Sequence, residues 1–375
     1  MHEEQRQRTH DLLRKRGLEY ALFSSAPAVT WLTGFTPPIL TGPNPFAGGP
    51  ALVWYASGEW TLLVLDNHAD AARKTGCAVV SYPGYTISAP IESQSQLFKT
   101  LRSILDSTNA RQIGVEQYSL PLLLRSALPD HATLLPIDDA LVPLRMIKTD
   151  EELVKLRANF ALSDCGQAAA RLAVRPGASE LDVWAALESA ILRAAKRRVP
   201  IGNDCTVGRR AHQGGWPFDI PILKNDSFVV DLSTQLDGYW SDSCATYYAS
   251  EPDAHQQAMH RTVTSALELA ISLVRPGAIA STIDRQVRAF IIDAGYPVYP
   301  HHTGHGIGVT GHEEPRIVPY NDIPLEAGMV IMLEPGIYFP EQTAIRLEDA
   351  LLVTTHGAEL LTSHDKHMLG DDSAP

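Results

Sequence analysis

A five-residue string occurs twice in this chain, as Val174-Arg175-Pro176-Gly177-Ala178 and again as Val274-Arg275-Pro276-Gly277-Ala278. Each copy lies between two segments whose apolar residues recur at helical spacing, with Pro-Gly punctuating the passage from one helix to the next. The second helix is expected to open at Ser179 with Asp182 in the first case and at Ser281 with Asp284 in the second, each a Ser-x-x-Asp start signal. Two strand-like segments carrying two acids follow each copy at a similar distance: Asp231 and Asp242, then Glu334 and Glu348. A duplicated helix-helix-hairpin unit leaves few options. The C-terminal part is expected to be two similar halves of this kind facing one another.

The chain has 375 residues, more than one hydrophobic core ordinarily serves, so two domains are expected. The first part alternates helix-like and strand-like patterns: a helix from Gln5 to Arg16, then strands at Tyr20–Phe23, Ala51–Tyr55 and Thr61–Leu65. This is an α/β arrangement. The Pro- and Gly-rich stretch from Gly34 to Gly49 is a loop suited to contacts with substrate or a neighbouring subunit. Near Lys148 the pattern changes, because Thr149 and Glu152 form a capping box ahead of Leu153, Leu156 and Phe160 at helical spacing. The domain boundary is placed there.

Asp231 ends the apolar run Phe228-Val229-Val230, and Asp242 follows Tyr239-Trp240-Ser241 across the hairpin signal Asp237-Gly238. Alternation on the two strands lets both acids project from one face whether the turn is centred at 236/237 or 237/238. Acids beside a turn are ordinarily solvated charges, but an acid on a buried strand needs a cation or a donor. The second pair repeats the pattern: Glu334 closes Met329-Val330-Ile331-Met332-Leu333, and Glu348 leads into Ala350-Leu351-Leu352-Val353. Between the acids lies His301-His302-Thr303-Gly304-His305-Gly306-Ile307-Gly308, then His312-Glu313-Glu314-Pro315. Glycines crowd His305, as expected where backbone approaches a ligand. Four carboxylates and one neutral imidazole balance two divalent cations, and an oxygen-rich set with one His favours Mn²⁺, with Co²⁺ or Zn²⁺ as alternatives.

A net charge of -12 without a compensating basic cluster excludes nucleic acid and anionic membrane surfaces as partners. Lys196-Arg197-Arg198 is expected to be a solvated helix end. Cys77, Cys165, Cys205 and Cys244 are scattered, which signals neither a thiolate zinc site nor a disulfide framework. The polar N-terminus and the lack of a long apolar run point to a soluble cytoplasmic protein.

These dispersed motifs resemble those of the pita-bread metallopeptidase family, which includes methionine aminopeptidases, aminopeptidase P and prolidases. The resemblance runs over nearly the whole chain. It implies an α/β (α+β) fold with a creatinase/prolidase-like N-terminal domain over residues 1–145, carrying Trp31-Leu32-Thr33-Gly34-Phe35. A pita-bread catalytic domain with pseudo-twofold halves would then occupy 150–375. By this resemblance Asp231, Asp242, His305, Glu334 and Glu348 are the five metal ligands, with Asp242 and Glu348 bridging. His312 would contact the substrate or the tetrahedral intermediate. His301 matches a histidine of the proline-specific branch and Arg346 the arginine two residues before the last ligand, and both are expected to bind substrate. His212, nineteen residues before Asp231, is the counterpart of a family histidine usually about seventeen before it. Arg209 and Arg210 are either substrate-carboxylate ligands or exposed loop charges. Ser243-Cys244-Ala245-Thr246 departs from the Ile-Thr-Arg-Thr common in the family.

The resemblance further implies catalysis by two cations about 3.5–4 Å apart that lower the pKa of a shared water toward about 7. Glu334 would shuttle protons while His312, with His212, stabilises the oxyanion. The expected activity is that of an Xaa-Pro dipeptidase on small peptides, with a homodimer as the expected assembly. The alternatives are an Xaa-Pro aminopeptidase, a relative hydrolysing a non-peptide amide, or a non-catalytic binding protein on the same fold.

Overall fold

In the computed structural model, which describes residues 2–38 and 48–368, the first of two units, Met1–Arg145, is built on one six-stranded sheet. Its strands are β1 (Tyr20–Phe23), β2 (Leu52–Ala56), β3 (Glu59–Leu65), β4 (Ala78–Tyr82), β5 (Gln112–Val115) and β6 (Thr133–Pro136), in the order β4-β3-β2-β1-β5-β6. β1, β2 and β3 are antiparallel neighbours, and the outer pairings are parallel. The first helix spans Glu3–Lys15 rather than starting at Gln5, since Glu3 and Glu4 favour the positive end of the helix dipole. Of the loop from Gly34 to Gly49, residues 39–47 lie outside the described residues, and with them much of the segment expected to touch substrate or a second subunit.

The second unit, Met146–Pro375, repeats itself. Helices Asp150–Ala173 and Glu180–Ala195 open the first half, and Ala254–Leu273 and Ala280–Asp293 open the second. Capping boxes start the first helix at Thr149/Glu152 and the next at Ser179/Asp182. The expected third signal fails. The helix after the second repeat begins at Ala280 with Ile279 as its cap residue and no side-chain cap, so Ser281 and Asp284 lie inside it. Ser281 instead donates to Asp322, and Asp284 accepts from Thr303 Oγ1 at 2.6 Å and from Arg288. Asp284 thereby ties this helix to the segment that bears the histidines.

In the first half, β7 (Ile201–Gly202), β10 (Ser233–Leu236) and β11 (Tyr239–Ser241) form one sheet, and β8 (Cys205–Val207), β9 (Ser227–Asp231) and β12 (Cys244–Tyr248) another. Thr234 pairs with Ser241 and Leu236 with Tyr239, so the turn is centred on Asp237-Gly238. Both turn residues have positive φ, 50° and 83°, the twist that matches right-handed strands. In the second half, β13 (Gly304–Gly306), β14 (Glu313–Ile317), β15 (Val330–Leu333), β18 (Asp349–Val353) and β19 (Ala358–Leu360) form a sheet in the order β14-β13-β15-β18-β19. β16 (Gly336–Phe339) pairs with β17 (Thr343–Arg346).

Each half has its own apolar core. Val183, Leu187 and Ile191 pack with Phe228 and Val230, while Val263, Leu267, Val287 and Ile291 pack with Ile331, Leu333 and Leu351. Burying one such side chain stabilises the fold by about 1.5–3 kcal/mol, so these contacts fix which strand face points inward. Backbone pairing shows how closely the halves correspond. The Asp231 N–H donates to the carbonyl of Asp204 at 2.8 Å, and the Glu334 N–H to the carbonyl of Thr303 at 2.9 Å. Asp231 and Glu334 are therefore equivalent, each at the end of the central strand of its half.

Candidate metal centre

The four acids are buried where the two sets of strands end: Asp231 is 8% exposed, Asp242 3%, Glu334 7% and Glu348 1%. β15 and β18 pair with Leu333 opposite Asp349, which places Glu334 opposite Glu348 one step further along. In the first half Asp231 stands opposite Cys244, and Asp242 lies diagonally from it. His305 on β13 closes the group. Its Nε2 is 3.9 Å from Asp242 Oδ2, 3.7 Å from Glu334 Oε1 and 3.9 Å from Glu348 Oε1. Its Nδ1–H donates to the Gly306 carbonyl at 2.9 Å, which leaves the Nε2 lone pair turned toward the acids.

The glycines beside His305 serve a different purpose from the one expected. A Cβ on Gly304 would stand 1.9 Å from the Met332 carbonyl oxygen, and one on Gly306 would stand 2.3 Å from that of Glu314. They let β13 fit between its neighbouring strands rather than admit a ligand.

Burial, then the charges of Asp231 and Glu334, pushes the Asp242 carboxyl well above its ordinary range. Glu348 is raised well above its range by burial and then by Asp242, and Glu334 is raised by burial. Burial, then His312, holds His305 well below the usual histidine range. Neutral imidazole and acids short of counter-charge are the features a divalent cation resolves.

Arg346 supports the cluster from the side. Its NH2 donates to Asp204 Oδ2 and Asp231 Oδ2, each at 2.7 Å, and its NH1 donates to the Tyr338 hydroxyl at 2.8 Å. Since Tyr338 accepts from Arg346, its own proton points to His301 Nε2, 2.8 Å away, and His301 Nδ1–H donates to the His302 carbonyl at 2.8 Å. Both ring nitrogens of His301 are thus engaged within the protein. His312 is more open, with its ring 4.1 Å from that of His305. The neighbouring Glu313 is fixed by a buried ion pair with Lys148 at 3.0 Å.

His212 is exposed, and its Nε2 lies 3.3 Å from Gln213 Nε2. Arg209 and Arg210 are tied down within the protein: Arg209 pairs with Asp226 at 2.6 Å and Arg210 with the fully buried Glu180 at 2.7 Å.

Residues 155–355 match metallopeptidase family M24, and residues 5–147 match the creatinase/prolidase N-terminal domain. The chain belongs to family M24. This M24 chain is 31% identical over 371 residues to YkvY of Bacillus subtilis, an alignment covering 97% of this chain and 98% of that one. It is 27% identical to an Xaa-Pro dipeptidase of Pyrococcus horikoshii, over 96% of this chain and 97% of the relative. The crystal structure of the prolidase from Pyrococcus horikoshii OT3 superimposes with a TM-score of 0.83 at 24% identity, covering 97% of this chain and 99% of that one. The fold is therefore mixed α/β, with a creatinase-type N-terminal domain and a pita-bread catalytic domain. The chain is a hydrolase of the M24 dipeptidase and Xaa-Pro peptidase group, and no helix among its described residues is long and apolar enough to cross a membrane.

Divalent metal ions are implied by the family, and this donor set fits them. Glu348 Oε2 is buried with no hydrogen-bond partner. Asn203 Nδ2 faces Ser233 Oγ at 2.7 Å, Asp231 Oδ1 at 3.0 Å, Asp242 Oδ1 at 3.3 Å and Asp242 Oδ2 at 3.5 Å. The Ser243 N–H supplies Asp242 Oδ1 at 3.1 Å, but Glu348 Oε2 has no such donor and is left for a cation. The family departure at Cys244 stands beside this chemistry, directly across the ladder from Asp231. Its side chain is buried with Ala211, Val229 and Ala344, and its Sγ lies 3.5 Å from the Arg346 carbonyl. Asn203, Asp204 and Tyr338 escape a reading of local pattern, because nothing near them in sequence marks them. His302 stood in plain view among four histidines, without a signal to separate it from its neighbours.

Proposed function

We propose that this M24 hydrolase is an Xaa-Pro dipeptidase that holds two divalent cations, Mn²⁺ for preference, on Asp231, Asp242, His305, Glu334 and Glu348. The convergence of Asp242, Glu334 and Glu348 on His305, with Asp231 beside Asp242, carries the reading, and Glu348 Oε2 is left for a ligand the protein itself does not supply. The named activity of the Xaa-Pro dipeptidase relative supports the substrate class. When bound, such a pair supplies Lewis acidity and brings the pKa of water toward about 7.

The remaining work falls to the chain. Glu334, its carboxyl raised by burial, takes the proton of the attacking water and delivers it to the departing proline nitrogen. His312, open to the site and close to His305, donates its N–H to the carbonyl oxygen as charge develops. His301 and Arg346, expected to bind substrate, are both committed to internal bonds: Arg346 holds Asp204 and Asp231, and His301 reaches Arg346 through the Tyr338 hydroxyl. A share for His212 in oxyanion binding draws no support from its exposed position against Gln213.

The test is an assay of Ala-Pro, a longer Xaa-Pro peptide and a non-proline dipeptide after chelation and re-addition of Mn²⁺, Co²⁺ or Zn²⁺. Activity on Ala-Pro should vanish on chelation and return best with Mn²⁺. Preference for the longer peptide would assign an aminopeptidase instead, and full activity in metal-free protein would remove the metal reading altogether.

A further inference from the structure

His302 is given no part by the family resemblance, yet its ring reaches Glu334. Its Nε2 lies 2.7 Å from Glu334 Oε1, and its Nδ1 lies 2.9 Å from Arg316 NH2. A guanidinium only donates, so Nδ1 accepts and the proton of the neutral ring sits on Nε2, aimed at the carboxylate. A hydrogen bond to an ionised acceptor is about twice as strong as a neutral one. The same assignment bears on the three imidazoles of His302, His305 and His312, whose nitrogens lie within 4.8 Å of one another. With Nδ1 engaged by Arg316 and Nε2 protonated, His302 offers no lone pair for a cation.

The first half holds the same device. His302 immediately precedes Thr303, whose carbonyl binds the Glu334 N–H, and Asn203 immediately precedes Asp204, whose carbonyl binds the Asp231 N–H. Asn203 Nδ2 donates to Asp231 Oδ1 at 3.0 Å. Histidine and asparagine at these equivalent positions share an N–H donor and little else, and each aims it at the first acid of its half. Asn203 does so from φ 81°, a left-handed conformation that costs most residues roughly 1–2 kcal/mol and that asparagine tolerates.

We propose that His302, oriented by Arg316, is a positioning residue that fixes the Glu334 carboxylate for metal binding and proton transfer, and that Asn203 does the same for Asp231. The inference rests on the reading of these acids as metal ligands. It concerns how they are held, not which peptide is cut.

Three measurements on the full chain test it: Mn²⁺ affinity of chelated protein by calorimetry, kcat and KM on Ala-Pro, and the imidazole ¹⁵N spectrum of the metal-free form. His302→Leu should weaken Mn²⁺ binding and lower kcat together by roughly 10- to 100-fold, the usual cost of losing a partner behind a metal ligand. KM should stay near the wild-type value. His302→Gln should restore both, since its amide can donate to Glu334 while its carbonyl accepts from Arg316. The spectrum should show a neutral Nε2–H ring that disappears in His302→Gln. Wild-type Mn²⁺ affinity and kcat in His302→Leu would overturn the proposal. So would His302→Gln as impaired as His302→Leu, which would mark the imidazole itself as a ligand. Should His302→Leu fail to fold, Arg316→Met and Asn203→Ala keep the question open to measurement: weakened Mn²⁺ binding in both supports the clamp, and unchanged binding in both ends it. If wild-type protein binds Mn²⁺ but cuts no peptide, the proposed function fails while the affinity comparison still stands.

Discussion

In the first half of the catalytic unit Asp231 faces a cysteine across the ladder, whereas in the second half the equivalent Glu334 faces Glu348. The same backbone thus carries two acids in each half but offsets one pair and aligns the other. The histidines are more lopsided still. Taking Asp204 and Thr303 as equivalent, the positions matching His301, His302 and His305 are Gly202, Asn203 and Thr206. A duplicated framework decides where ligands can stand, and a handful of side chains then decide what each half contributes: acids from both, imidazoles from one.

Glu348→Gln is the strongest challenge to that division, because it removes one aligned acid while leaving the ladder intact. Bound Mn²⁺ should fall to the level of a chelated control, and hydrolysis with it. Two metals per chain in this variant would show that Glu348 does not bridge. His312→Ala comes next, with a loss in kcat of roughly 10²–10³-fold, the usual cost of one oxyanion donor, at full metal content and nearly unchanged Tm. A fall in Tm without a fall in kcat per folded molecule would make His312 a structural residue.

The response to pH is expected to be smaller. Asp242, Glu334 and Glu348 have folded-state values raised by burial, so in metal-free protein their favourable contribution is complete below the unfolded carboxylate range. It is lost as pH rises through the raised values. Bound cations need the ionised forms, so the Tm gap between Mn²⁺-loaded and chelated protein should widen as pH rises from about 4.5, the ordinary glutamate value, toward neutrality. Each proton released changes metal affinity about tenfold per pH unit. A gap that does not depend on pH would mean that these acids are not the ligands. The smallest effect is expected at Cys244. Cys244→Ala should cost about 1 kcal/mol of stability, as an ordinary core truncation does, and leave Mn²⁺ binding alone. Loss of metal would show that the position opposite Asp231 is as functional as Glu348.

Much of the framework was legible before any coordinates. The Thr149/Glu152 and Ser179/Asp182 caps, the Asp237-Gly238 turn and the acids at the ends of apolar strands are local patterns that local physics enforces. Where tertiary demands intervened, the reading failed. Ser281 looks like a cap but lies within its helix, because Asp284, its presumed partner, is drawn to Thr303 and Arg288. The glycines around His305 answer to the backbone of neighbouring strands.

The sequence by itself determined the duplication, the burial of four acids and the family to which they belong. Each is written in periodicities and short spacings that the chain carries wherever it goes. Only the tertiary structure decided which oxygen meets which donor. Arg346 reaches Asp204 across 142 residues, and Glu313 reaches Lys148 across 165. The proton positions on His301, His302 and His305 depend on Tyr338, Arg316 and the Gly306 carbonyl. An imidazole proton goes where the surrounding donors and acceptors leave room for it, and those neighbours exist only once the strands have come together.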